Sequence, residues 1–527
     1  MTTSPPARVD AVIIGSGHNG LVAAVLLARA GLSVAVLEAA GTLGGATRTE
    51  HPFGRVPGLR HSTGSYLLGL VPPELLRTLE LDIPVHRRDP HYFLPTPGGP
   101  GSPYLLLGTD RDAARDQLRR FFSAADVRAD DALQAELAAL REDLAPAWLA
   151  EPGTVDETAQ RYLRPALRDV FVDLVTGSVA DYLARFEFRS ELLAAMYAVT
   201  DGLTGVHAGP DDPGTGHNFL AHNMCRLPGA DGTWMIAAGG MGSVARILAD
   251  AARAAGAVLV PGAAVVRVLT GAGTVTGVAL ANGSTVDAKV VLGACDPYRL
   301  IDIAPDLPAD LVARMTAVRR TGTTLKVNLA LRDLPRFSCL PPGAASPFGA
   351  TTHLVPGATA GPAATGADGP MARLRSMWRQ VQAGELPDEP AIEWYVHTTV
   401  DPSLRDPAGH HSAALFVQSV PYHADWDALL PSYVDSLLAI CDRYAPGTSD
   451  LVADTLPLAP PGIEAHFGIT GGHIQHVDNT VAFTDRMPYA TGLPGLYAGS
   501  AGCHPAGGVI GAAGHNAARR ILTDLAL

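Results

Sequence analysis

Lysine is nearly missing: Lys289 and Lys326 are the two in 527 residues, and the rest of the Lys+Arg total of 39 is arginine. Acids outnumber bases, and the formal net charge is −13. A nucleic-acid partner, which wants a basic surface, is therefore disfavoured. The arginine bias, with abundant alanine, reads as genome composition. Cysteine is scarce too. Cys225, Cys295, Cys339, Cys441 and Cys503 are scattered, odd in number and form no C-x-x-C. Neither a disulfide framework nor a zinc site is indicated, and no metal is expected. Long apolar runs are also lacking. No uninterrupted stretch of 18 apolar residues exists, so no transmembrane helix is expected. The opening MTTSPPARVD has no apolar signal core. The default expectation is a cytoplasmic protein. Hydrophobic residues make up 47% and charged residues 17%, a globular composition. The length exceeds one ordinary core, so two joined domains are expected.

What is present begins at residue 9. Val9 to Ile14 is a short, mostly β-branched run that reads as a buried strand. Gly15, Gly17 and Gly20 then fit G-x-G-x-x-G. The first glycine permits a tight turn, the second a close approach of backbone to a diphosphate, the third close packing of helix on sheet. Ser16 and Asn19 lie within the same turn. The pattern predicts a helix from about His18 to Ala30, stopped by Gly31, and a second strand from Ser33 to Leu37. Glu38 ends that strand, roughly twenty residues past the glycines, where an acid commonly takes a ribose hydroxyl. The helix N-terminus offers free N–H groups to a diphosphate. Gly44, Gly45 and Arg48 extend the motif with a further close approach and planar donors.

Farther along, Leu133, Leu137, Leu140 and Leu144 repeat at helical spacing. Near residue 235 the texture becomes glycine turn, helix from Gly242 to Ala255, then strands at Val258 to Pro261 and Ala264 to Val268. A hairpin follows, turning at Asn282-Gly283, and Val290 to Leu292 returns to an apolar strand. Residues 320 to 331 alternate as a strand. Residues 341 to 370, rich in Gly, Pro and Ala, read as a surface loop. A helix is expected at about 431 to 443, and the C-terminal stretch reads as strand, glycine-rich turn, helix. Strand–helix–strand texture thus appears at the start, the middle and the end.

The GG-x-x-R extension resembles the FAD signature of the glutathione-reductase-like flavoprotein superfamily. The absence of a cysteine pair near the first βαβ unit argues against its dithiol branch. GSGHNGLVAA at 15–24, FEF at 186–188, PGTG at 213–216, GGMG at 239–242, KVNLAL at 326–331 and GSAGCHPAGGVIGAAGHNAA at 499–518 together resemble the phytoene desaturase family, most of all its phytoene-dehydrogenase-related branch. Cys503 and Ala506 depart from that pattern, where alanine and glycine are commoner. The resemblance implies an α/β fold: a Rossmann-like FAD-binding domain of the GR2 flavoprotein type, interleaved with an α+β substrate domain of mixed sheet and helices. The expected division is 1–72, 235–318 and 470–527 for the FAD-binding domain, and 73–234 with 319–469 for the substrate domain. It also implies that Gly15, Gly17 and Gly20 face the pyrophosphate, with Ser16 and Asn19 beside them, and that Glu38 binds the ribose. Gly44, Gly45 and Arg48 would line the middle of the cofactor and Val265 would meet the adenine. Gly499 would lie by the ribityl chain, and Gly507 and Gly508 at a helix start under the flavin.

A flavin takes hydride or electrons while the protein orients the substrate. No second G-x-G-x-x-G is present for a nicotinamide. Oxygen, a quinone or another protein is then the expected acceptor. Lys326 shares a strand face with Asn328 and Ala330, and is a candidate to hold a water near the flavin and assist oxygen chemistry, with a surface-facing strand position or a structural ion pair as its alternative. His504 is a second catalytic candidate, with a loop-fixing role as its alternative. His222 and Asp201 are candidates to line the substrate cavity. The family leans to lipophilic molecules, which leaves room for peripheral membrane contact. An amine or alcohol oxidase, an isomerase, and a flavin-binding partner protein without turnover stand as alternatives. Substrate identity and oligomeric state are not legible.

Overall fold

The computed structural model describes residues 4–230, 232–344, 346–358 and 364–527. Two seven-stranded sheets organise it. The first runs in the order Val258–Pro261, Val34–Glu38, Arg8–Ile14, Thr285–Gly293, Thr274–Leu280, Val265–Gly271, with Leu496–Ala498 also on Thr285–Gly293. Arg8–Ile14 is parallel to both of its neighbours, and Val34–Glu38 is parallel to Val258–Pro261. The strand Thr285–Gly293 is long enough to serve two partners besides Arg8–Ile14. Its first residues pair antiparallel with Thr274–Leu280, and its last pair parallel with Leu496–Ala498. The helices His18–Arg29, Gly242–Ala254 and Ala512–Asp524 pack together over this sheet. Strands covered in this way must be apolar throughout, and every residue of Val34–Glu38 is buried.

The second sheet is mixed. Its order is Val452–Leu458, Leu325–Leu331, His411–Val417, Ile392–Val396, Thr351–Leu354, Tyr92–Pro95, Tyr104–Leu107. All pairs are antiparallel except Thr351–Leu354 with Tyr92–Pro95. Leu325–Leu331 alternates as its sequence predicts, but it is an interior strand with both faces covered. Leu325, Val327, Leu329 and Leu331 join an apolar core with Leu415, Trp394 and Leu437. The face bearing Lys326 is buried as well.

Helices fill the space between. Ala124–Leu144 buries Leu133, Leu137, Leu140 and Leu144, the predicted stripe. Two expectations are corrected. The stretch 341–370 holds the fully buried strand Thr351–Leu354, where β-branched residues outweigh the surrounding Gly and Pro; residues 345 and 359–363 of that stretch lie outside the described residues. The last helix begins at Ala512 behind Gly511, so Gly507 and Gly508 stand in the preceding turn rather than at the helix start. Among the described residues no helix is long and apolar enough to cross a membrane.

Candidate functional site

The first βαβ turn is built as a cradle. Gly15 leaves its strand at φ 99°, a conformation that favours glycine. A Cβ on Gly20 would sit 2.3 Å from the Gly15 carbonyl oxygen and 2.9 Å from Ala294 Cβ, so the helix rests on the sheet only because that atom is missing. A Cβ on Gly17 would meet nothing within 4 Å. The twelve-residue helix after it has no side-chain cap, which leaves its first N–H groups to a ligand. Glu38 closes the cradle from the next strand. Its Oε2 accepts from Ser16 N at 2.9 Å and Ser16 Oγ at 2.7 Å, and its Oε1 from Ala40 N at 2.9 Å. Gly44 N donates to the Ser16 carbonyl at 3.1 Å, laying the paired glycines against the first turn. Arg48 donates from Nε to the Gly45 carbonyl and places its guanidinium 5.2 Å from the Phe467 ring centroid.

One cavity of about 760 Å³ opens from this cradle and continues to the second sheet. Gly15, Gly17, Asn19, Glu38, Gly44, Gly45, Arg48, Val265, Gly507 and Gly508 line it, and so does Lys326 at its far end. Ser16 stands behind the wall on Glu38, and Gly20 packs beneath the helix. Gly499 is also off the wall, its N–H on the Gly293 carbonyl and the place of a Cβ taken by Ala517 and Leu292. Asn19 also braces the fold, because its Oδ1 accepts from Gly514 N at 3.2 Å and ties the first helix to the last. Two half-buried histidines at the wall each carry a buried ring nitrogen, His18 Nε2 and His476 Nδ1, without a hydrogen-bond partner among the described residues. The open glycine face, the uncapped helix, the ribose-distance acid and these spare polar atoms fit a dinucleotide.

His504 does not reach this cavity. It lies in a separate, almost filled cleft with Trp148 and Phe483, and its Nε2 is 3.1 Å from the Ala147 carbonyl. The loop-fixing alternative describes this placement; contact with a ligand in the main cavity does not. Cys503 is fully buried off the cavity, and burial pushes its thiol up to about 12.

The end at the second sheet is lined by rings and ionisable groups. Lys326 is 4% exposed. Its Nζ stands 4.0 Å from the Tyr66 ring centroid and 4.4 Å from that of Phe416, and among the described residues it has no hydrogen bond or ion pair. Burial lowers its pKa to about 7 against the opposing pull of Glu393. Asn328, two residues along on the same face, accepts from Tyr66 Oη at 2.8 Å, with His61 Nε2 at 2.7 Å, and so fixes the ring beside the lysine. Glu393 accepts from Tyr395, from Gln418 Nε2 at 2.9 Å and from Thr204 Oγ1 at 3.2 Å. Burial raises its pKa. Asp201 sits in a single π-turn, Ala198–Gly202, a geometry frequent at functional sites. Burial, then the charge of Glu393, raises it to about 7. Asp201 and His222 both line the cavity, as their sequence context suggests. Arg88, Glu393, Tyr66 and Tyr395 were not anticipated. Glu393 leaves a trace, a lone carboxylate in the apolar run IEWYV; Arg88, in HRRDPHYF, leaves none.

Fold and cavity together define a protein built on a Rossmann-like dinucleotide-binding domain. Residues 13–79 match the NAD(P)-binding Rossmann-like domain. The chain is 32% identical to pyridine nucleotide-disulfide oxidoreductase domain-containing protein 2 of Rattus norvegicus, over 98% of this chain and 94% of that protein. It is 28% identical to the hydroxyneurosporene desaturase of Cereibacter sphaeroides, over 98% of each. The solved structure of wild-type putrescine oxidase bound to putrescine shares the fold, with a TM-score of 0.59 at 16% identity, covering 99% of this chain and 100% of that one. The chain belongs to the family of pyridine nucleotide-disulfide oxidoreductase domain-containing protein 2. Its own five cysteines are all free.

Proposed function

We propose that the chain binds FAD noncovalently and oxidises a largely apolar small molecule, its electrons leaving to oxygen, a quinone or another non-nicotinamide acceptor. One observation carries this reading: a single cavity joins a dinucleotide cradle to a chamber walled by rings and proton-exchanging groups. Gly15, Gly17, Asn19, Glu38, Gly44, Gly45, Arg48 and Val265 would hold the cofactor, with Gly507 and Gly508 beside it. Bound FAD supplies a two-electron acceptor for a hydride leaving the substrate. The chain supplies the rest. Tyr66, Phe416 and Tyr395 offer ring surfaces to an apolar body. Lys326 Nζ holds a water or a proton at the chamber wall, since both of its protonation states are populated near neutrality. The division into discontinuous cofactor and substrate domains follows the same logic, each half of the cavity resting on its own sheet. The phytoene-desaturase-like specificity draws support from the desaturase relative.

Asp201 favours a second reading. A hydrocarbon needs little acid–base help to lose hydride, whereas an alcohol or amine needs a base. Two groups with pKa values near 7 in one chamber suit the latter. Anaerobic titration separates the readings. A true substrate bleaches the flavin and air restores it; an isomerase converts substrate without lasting bleaching; a scaffold does neither. Absence of FAD from the purified protein sinks the proposal. Flavin that stays with the denatured polypeptide refutes noncovalent attachment. Rapid stoichiometric reduction by NADPH without a partner refutes the choice of acceptor.

A further inference from the structure

The chamber holds a charge that this chemistry leaves unused. Arg88 is 3% exposed, and a guanidinium keeps its proton. Its Nε donates to the Trp234 carbonyl at 2.8 Å and its Nη1 to Thr351 Oγ1 at 2.7 Å. Among the described residues Nη2 has no hydrogen-bond partner, and no carboxylate lies within 4 Å of the guanidinium, while Arg88 lines the cavity. A buried cation left without an anion is costly, so a site that keeps one has a use for it. The chamber's own acids form no ion pair with Arg88, Glu393 acting on the guanidinium only from a distance. Glu393 is held by Tyr395, Gln418 and Thr204, and Asp201 meets Tyr92 Oη at 3.4 Å. Burial drives both toward their neutral forms. Lys326 differs from Arg88 in having two ring faces against its ammonium.

We propose that Arg88 is the specificity-determining anchor of a carboxylate on the substrate, so that the molecule oxidised is amphipathic: an apolar body among the rings, its acid head on Nη2. The proposal rests on the chamber being the substrate site of the function proposed above. A carboxylate fits better than a dianionic phosphate, because one guanidinium edge, fixed by Trp234 and Thr351, offers planar donors and a single charge. An ammonium substrate would meet the wrong sign at this point.

The purified flavin-bearing protein is titrated calorimetrically with 3-phenylpropionate, 3-phenylpropanamide and 3-phenylpropylammonium. The carboxylate is expected to bind about ten- to a hundredfold more tightly than the amide, the size of one charge-assisted contact. Arg88→Gln should erase that preference and leave amide affinity unchanged. Should loss of the Trp234 and Thr351 contacts prevent Arg88→Gln from folding, Arg88→Lys, which keeps charge but loses the fork, should narrow the preference without erasing it. Failure of the carboxylate to bind, equal affinities, or preference for the ammonium in the parent protein overturns the proposal. So does a carboxylate preference that survives in Arg88→Gln or stays undiminished in Arg88→Lys. Flavin content, read from the visible band of the same samples, tests the flavoenzyme reading separately.

Discussion

At the scale of single residues, burial sets what the ionisable groups can do. Lys326 is protonated in the unfolded chain up to about pH 10.5 but in the folded chain only up to about 7. Between those values the unfolded state binds more protons, so this residue makes stability rise with pH. Its cost is fully present below pH 7, at about 1.4 kcal/mol for each pH unit of the window. Lys326→Met should therefore raise the melting temperature at pH 7, with the gain shrinking as pH climbs toward 10. A gain independent of pH would show that Lys326 is not titrating in that window. The same variant should slow flavin reoxidation more than flavin reduction in rapid-mixing experiments, and equal rates would leave the lysine a structural role. Glu38 carries the cradle. Glu38→Ala should weaken FAD binding by about ten- to a hundredfold, since a charge-assisted hydrogen bond contributes roughly 1.5–3 kcal/mol. Titration after flavin stripping measures it, and unchanged affinity in a folded variant removes Glu38 from the site. The sequence picks out both residues, one as the lone lysine of an alternating strand and one by its spacing. It does not show that Glu38 also pins Ser16, or that Tyr66 and Phe416 enclose Lys326, because those contacts join segments far apart in the chain.

At the scale of elements, the strand–turn–helix unit is legible because its physics is local. An apolar run, three glycines and an alanine-rich helix state their geometry within twenty-odd residues, and His18–Arg29 and Val34–Glu38 lie within a residue of where the pattern predicts them. The strand Thr351–Leu354 is not legible. Its four residues owe their conformation to Tyr92–Pro95 on one side and Ile392–Val396 on the other. The two motif glycines make separable predictions. Gly20→Ala drives a Cβ into backbone at 2.3 Å and should destabilise the fold outright. Gly17→Ala adds a Cβ that meets no protein atom, at φ −62°, where alanine is unstrained. It should leave the flavin-free protein as stable as the parent while lowering its affinity for FAD. Equal FAD affinity in Gly17→Ala and the parent would mean that no ligand approaches this face of the turn.

At the scale of the molecule, buried polar residues fix the loops around a cavity that both sheets line. Arg486 is the clearest hub. It is 1% exposed and donates to the carbonyls of Val477, Asp478, Val481, Ala501 and Cys503, binding the 477–481 loop to the turn after the last strand. Such a residue is invisible in sequence because all but one of its partners, Asn479 Oδ1, are backbone oxygens. The turn it secures runs on to Gly507 and Gly508 at the cavity wall, while the cradle across from it belongs to the first βαβ unit. A cofactor lying along the cavity would then touch segments from the start and the end of the chain, and its binding would stabilise the whole. For one noncovalent site that contribution is about 2.7 kcal/mol when free FAD is a hundred times its dissociation constant, and it grows with the logarithm of concentration. Protein stripped of flavin should therefore melt below the holoprotein, and its melting temperature should climb steadily as FAD is added back. Riboflavin, which lacks the diphosphate and adenosine that the cradle is built to hold, should have a much smaller effect. A melting temperature insensitive to FAD over a range of concentrations would contradict noncovalent binding in this cavity. Equal stabilisation by riboflavin would instead move the binding energy away from the glycine turn and Glu38.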